Sequence, residues 1–176
     1  MDAYLAVVSK REVRRYTERP IPQEILRQIL EAGRASGSSR NRQPWRFVVV
    51  MDRARLGEIS RFVSRPANVA ECAAAVVVAL LQPRLVFDAG RTAQNMMLAA
   101  WTLRIGSCPN TVVDETGLKA ALGIPDEASI PTVLSLGYPA PGEPRPQARA
   151  DPAGKLTRIN RLPLAELVRR ETYAGA

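Results

Sequence analysis

Residues 36–50 read SGSSRNRQPWRFVVV, a crowded polar loop running straight into an apolar strand. Ser38, Ser39, Asn41 and Gln43 fall within a few residues of each other, Pro44 and Trp45 follow, and RFVVVM (46–51) predicts a strand. Hydroxyl and carboxamide groups each both donate and accept hydrogen bonds. Such a set suits the edge of a heteroaromatic ring or a polyol. The same residues also make ordinary turns by bonding their own backbone. Taken alone, the loop leaves both readings open.

Working outward, the preceding segment PQEILRQILEAGRASG predicts a helix opened by Pro22, with Ile25, Leu26, Ile29, Leu30 and Gly33 on one stripe and Gly37 just past its end. Residues 2–9 predict a short helix packing Tyr4, Leu5 and Val8. Downstream, DRARLGEISRFV predicts an amphipathic helix, and AAAVVVALL (73–81) a strand covered on both faces. FDAGRTAQNMMLAAWTLRIG (87–106) predicts a helix apolar nearly all round, and such a helix is buried on all sides. A chain of 176 residues rarely buries a long helix completely, so a partner subunit is expected to cover it. Gly106-Ser107-Cys108-Pro109-Asn110 with Thr111 reads as a small-residue turn, either a plain helix exit or a place where backbone meets a flat ligand.

DETGLKAALGIP predicts a helix capped by Asp114 and stopped at Gly123, and PTVLSLGYP a strand. Residues 139–157, rich in Pro, Gly and Ala, predict a surface loop, and LPLAELVRRETY a closing helix. Helices and strands mixed in this way give an α+β class in a single domain spanning 1–176.

Composition narrows the chemistry. The chain has 46% hydrophobic residues and a formal net charge of +8. Its arginines are scattered, with few aromatic residues to stack bases, so nucleic acid is not the expected partner. No apolar run has the length of a membrane span, and the N-terminus lacks the features of a secretory signal, so a cytoplasmic protein is expected. Cys72 and Cys108 form no metal spacing and are expected as free thiols. There is no histidine, which removes the commonest general acid–base and His-based metal sites. An enzyme of this composition would leave the hard chemistry to a cofactor. Lys10, Arg11, Arg14 and Arg15 crowd one short segment and could hold an anion, though a solvated charge run looks the same.

Five motifs in order carry a resemblance. KREVRRYTERPIP, SGSSRNRQPWRFVVV, FDAGRTAQNMMLAAWTLRIGSC, LGIP…PTVLSLGYP and RLPLAELVRRE together resemble the FMN-dependent nitroreductase family across nearly the whole chain. The resemblance implies a mixed, mostly antiparallel sheet wrapped by helices in a homodimer. It implies one FMN per subunit at the dimer interface, reduced by NAD(P)H. A nitroaromatic, quinone or similar conjugated acceptor would take the hydride from flavin N5 in a ping-pong cycle. Lys10 and Arg11 are then expected at phosphate or ribityl oxygens, and Arg14 at the pyrimidine edge. Ser38, Ser39 and Asn41 would reach in from the partner, with Gln43 nearby. Thr111 and Val112 would lie near N5, and Arg161 would hold phosphate. Glu12 stands where the family often has serine, Gly37 replaces a proline, and PNTVV replaces a glycine-bearing turn. Similar proteins also perform dehalogenation, ring-forming oxidation or flavin fragmentation, and a non-catalytic flavin carrier would share the same motifs.

Overall fold

A computed structural model describes residues 2–146, 152–156 and 159–173. Met1, residues 147–151, 157 and 174–176, and with them parts of the expected loop, lie outside the described residues, as does Arg158. The order is α1 (Ala3–Ser9), α2 (Gln23–Arg34), β1 (Trp45–Val50), α3 (Arg53–Ser60), α4 (Pro66–Ala70), β2 (Ala74–Leu80), α5 (Val86–Thr102), β3 (Gly106–Asn110), α6 (Glu115–Leu122), β4 (Ser129–Gly137), α7 (Pro152–Leu156) and α8 (Leu164–Leu167).

The four strands form one sheet in the order β1-β2-β4-β3, antiparallel at every pairing. Among the described residues, parallel pairing is confined to a single bridge between Glu12 and Ser107. β2 is central and buried at every position, as its unbroken apolar sequence demands. Side chains alternate across a strand. Val76, Val78 and Leu80 therefore join one core with Leu26 and Ile29 of α2 and Met96 and Ala100 of α5. Ala75, Val77 and Ala79 join another with Leu56 and Ile59 of α3, Val69 of α4 and Leu118 of α6. Helices cover both faces, so an antiparallel sheet here carries no alternating polar side.

The local signals act as expected in α6: Asp114 Oδ1 accepts from the Gly117 amide at 2.8 Å, and Gly123 closes the helix at φ 64°. Five expectations change. Residues 106–110 form a strand rather than a turn. Their composition is poor for a strand, but pairing with β4 overrides propensity. Pro109 is accommodated because β3 is an edge strand with no second ladder to feed. α5 ends at Thr102, and in the chain by itself it is not buried on all sides: Phe87, Gly90, Arg91, Gln94 and Asn95 are exposed. Its apolar density is concentrated around residues 96–101, while its N-terminal turns present one open stripe. Tyr4 lies off the inward stripe of α1 and is exposed, whereas Leu5 and Val8 are buried. The 139–157 loop contains α7, which packs against α1. The closing helix shrinks to Leu164–Leu167, where Leu162, Leu164 and Leu167 meet no core among the described residues. An isolated short helix is marginal without packing.

Candidate functional site

The basic segment lies along the free edge of β3. The Val13 amide donates to Ser107 O at 3.1 Å, and Val13 packs where a side chain on Gly106 would stand, 2.7 Å from a built Cβ. The chain then crosses to the end of β4, where the Thr17 amide donates to Tyr138 O at 2.9 Å. Gly137 is needed there because Tyr16 sits 2.6 Å from the place of its missing Cβ.

Along this edge each cation has a defined surrounding. Lys10 Nζ donates to Glu12 Oε1 at 2.7 Å and meets Met97 Sδ at 3.5 Å. Arg11 Nη1 donates to the Val8 and Lys10 carbonyls at 2.9 and 2.8 Å. Arg14 is exposed, and its amide donates to Glu143 Oε2 at 3.1 Å. Glu12 Oε2 and Ser107 Oγ are buried with no hydrogen-bond partner among the described residues. An orphaned carboxylate oxygen among cations is a polar demand of the kind hydroxyl-bearing ligands meet.

Beneath the edge lies a polar network. Tyr16 OH donates to Val13 O at 2.6 Å and shares a 2.9 Å contact with Ser135 Oγ. Asn110 Nδ2 donates to the Cys108 and Val133 carbonyls, both at 3.0 Å, and Asn68 Nδ2 donates to Asn110 Oδ1 at 3.0 Å. Burial pushes the Tyr16 hydroxyl well above its ordinary value, so it stays protonated. Burial, with help from the Glu12 charge, also raises the Cys108 thiol. Cys72 is pushed up to about 11 by burial. Both cysteines are free thiols.

The polar loop is built differently. Ser38 Oγ accepts from the Gln43 amide at 2.9 Å, and buried Asp88 accepts from the Ser39 amide at 2.9 Å. Arg40, Asn41 and Gln43 adopt φ of 52°, 54° and 48°. Left-handed backbone is unusual for residues with a Cβ, and three within four residues hold the Asn41 and Gln43 side chains outward.

Within one chain the loop and the basic segment are fastened to different turns of α5. Asp88, the anchor of the loop, is in the first turn of α5, while Met97, the neighbour of Lys10, is nine residues further along. At 1.5 Å per residue that is about 13 Å of helix. Thr111 and Val112 follow β3 at the edge carrying the basic segment, and the Thr111 carbonyl accepts from the Ser64 amide at 2.9 Å. Arg161 is exposed, with Nη1 on the Asn160 carbonyl at 2.8 Å.

Nothing local in the sequence marks Asp88, Glu143 or the Asn68–Asn110 pair as part of a site. Asp88 stood inside the quoted central helix, but nothing local says that its carboxylate caps a loop 49 positions away.

The architecture is that of nitroreductases. The crystal structure of a Desulfovibrio desulfuricans protein, described as a nitroreductase and solved in complex with FMN, superposes with a TM-score of 0.79 at 28% identity, covering 98% of this chain and 99% of that one. Residues 7–79 and 82–138 match the nitroreductase family, and the chain belongs to it. That membership makes it an oxidoreductase. Among curated proteins, an Archaeoglobus fulgidus protein described as an NADH dehydrogenase/NAD(P)H nitroreductase is 34% identical over 145 residues, with 76% of this chain and 83% of the relative covered. A Thermus thermophilus NADH dehydrogenase is 31% identical, with 80% and 88% covered.

Proposed function

We propose that the protein is an NAD(P)H-dependent FMN oxidoreductase whose acceptor is a nitroaromatic, quinone or similar conjugated molecule. The observation that carries this reading is the loop of Arg40, Asn41 and Gln43, held in left-handed backbone beside buried Asp88. Such a conformation costs roughly 1–2 kcal/mol per residue, and folds retain it where a loop presents groups to a ligand. FMN, when bound, supplies the hydride carrier that a chain without histidine lacks.

The chain's own residues then bind and orient. Arg14, exposed on the β3 edge, is assigned to the pyrimidine end, where a cation stabilises negative charge developing on reduction. Arg11 and Arg161 are assigned to phosphate. Lys10, already paired with Glu12, is assigned with that carboxylate to the ribityl hydroxyls. Thr111 and Val112 are assigned to the reacting edge of the ring. Ser38, Ser39, Asn41 and Gln43 come from a second subunit, because about 13 Å of α5 separates them from their own basic segment.

A homodimer with two shared pockets follows, and the open stripe of α5 with exposed Val86 and Phe87 supports it. The two cores flanking one sheet support reading the chain as one FMN-binding domain. Among the described residues no helix is long and apolar enough to cross a membrane. The free, buried Cys72 and Cys108 support a reducing cytoplasmic setting. Light scattering with flavin quantitation on the purified protein tests the assignment. The expected result is a dimer holding one FMN per chain. A stable monomer with stoichiometric FMN would reject the shared pocket.

A further inference from the structure

A cavity of about 340 Å³ opens at the other end of β3 from Thr111, between the C-terminus of α5 and the exit of β4. It is lined by Thr17, Arg19, Arg104, Tyr138 and Arg145, and no carboxylate among the described residues lines it. Among the described residues none of the three arginines forms an ion pair. Arg19 is held with its guanidinium 4.0 Å from the centre of the Tyr138 ring, which fixes the cation in place. Thr17 Oγ1 is buried with no hydrogen-bond partner among the described residues.

Arg104 adds a second, independent sign. It follows the last turn of α5 at φ 65°, the left-handed position where a helix exit favours glycine. The chain keeps an arginine there despite the backbone strain, and that arginine faces a cavity shared with two others.

We infer that this cavity is a second ligand site, distinct from the flavin cradle, which binds a phosphate-bearing small molecule. Three guanidinium groups with no counter-charge among the described residues make a strongly positive concavity, and planar Arg forks match phosphate oxygens. The volume is at the small end of ligand pockets and exceeds what a bare phosphate fills, so a phosphate monoester suits it better than the free ion.

The test uses the protein as isolated, saturated with FMN so that the flavin site cannot take the probe. Inorganic phosphate and glycerol phosphate are titrated by calorimetry against a chloride control of equal ionic strength. Saturable binding of both is expected, tighter for the ester, and weakened at least tenfold in Arg104→Gly and in Arg19→Gln. Arg104→Gly relieves the left-handed strain, so it should fold at least as stably as the parent. Binding no stronger than chloride, or unchanged binding in both variants, would overturn the inference. FMN and riboflavin affinities of Arg104→Gly separate it from the flavin reading. Loss of FMN with riboflavin retained would place these arginines in the flavin cradle and reject the second site. If the isolated chain takes up no FMN, the oxidoreductase assignment fails while the phosphate titration still decides this one.

Discussion

The carboxylate of Glu143 accepts from Arg15 Nε at 2.9 Å, fastening the segment after β4 to the basic segment near the N-terminus. The same carboxylate takes the Arg14 amide through its other oxygen, and the Ala140 amide donates to Arg15 O at 3.0 Å. One acidic side chain therefore fixes the backbone of the arginine assigned to the flavin ring.

This clamp should open in acid. Burial pushes the Glu143 carboxyl up, but hydrogen bonds from Arg15 and the Arg14 and Arg15 amides outweigh it, and the group is held below the ordinary carboxylate range. A depressed carboxylate stabilises the fold above its unfolded value, and that contribution disappears as pH falls through the folded value. Hydrogen exchange at the Arg14 amide should be slow near neutrality and lose its protection below the usual carboxylate range. In Glu143→Gln the pH dependence of that protection should vanish. Protection at Arg14 that follows the same pH course in both proteins would contradict the clamp.

Asp88→Ala should loosen the polar loop. It leaves the Ser39 amide without its acceptor and removes the 3.8 Å contact with Arg91. Losing a buried charged hydrogen bond costs about 1.5–3 kcal/mol. Urea unfolding should show a loss of that order, and FMN should bind more weakly. Asp88→Asn, which keeps an acceptor oxygen, should lose less. Equal effects of the two substitutions would mean that charge rather than the cap holds the loop.

Much of this arrangement is written locally. Asp114 and Gly123 bound α6 through a side-chain cap and a left-handed exit, and both are visible in twelve residues of sequence. The apolar run 74–80 declares a strand covered on both faces. β3 is hidden because GSCPN has the composition of a turn, and only its edge position beside β4 makes Pro109 acceptable. That position is a property of strand order, which no window of sequence contains. The length of α8 was hidden for a related reason: apolar residues such as Leu162, Leu164 and Leu167 signal burial without saying whether this chain supplies the cover. In the site, Arg14 and Asn41 are legible as residue types in motifs, while Glu143 and Asp88 act on partners far away in sequence.

Asn41→Ala and Arg14→Ala should each weaken FMN binding or slow flavin reduction, by about 1.5–3 kcal/mol per lost charge-assisted bond and less for the neutral amide. Arg27→Ala is the control, since among the described residues Arg27 pairs only with Glu24 on an exposed turn of α2. Dissociation constants and reduction rates measured for the three variants should separate them. Three equal values would reject the site.

Arg161→Ala should distinguish phosphate from ring. Riboflavin lacks the phosphate, so the substitution should weaken FMN by roughly 1.5–3 kcal/mol and leave riboflavin nearly unchanged. Fluorescence-quench titration of both flavins against both proteins decides it. An equal loss for both ligands would assign Arg161 to the fold instead.

The most direct test of the proposed oxidoreductase is anaerobic stopped-flow absorbance of the purified, FMN-loaded protein. Mixing with NADH or NADPH should bleach the visible flavin band in a single turnover, and a second mixing with a nitroaromatic or quinone should restore it at a rate set by acceptor concentration. A flavin band that neither pyridine nucleotide bleaches, or a bleached band that no conjugated acceptor restores, would contradict the assignment.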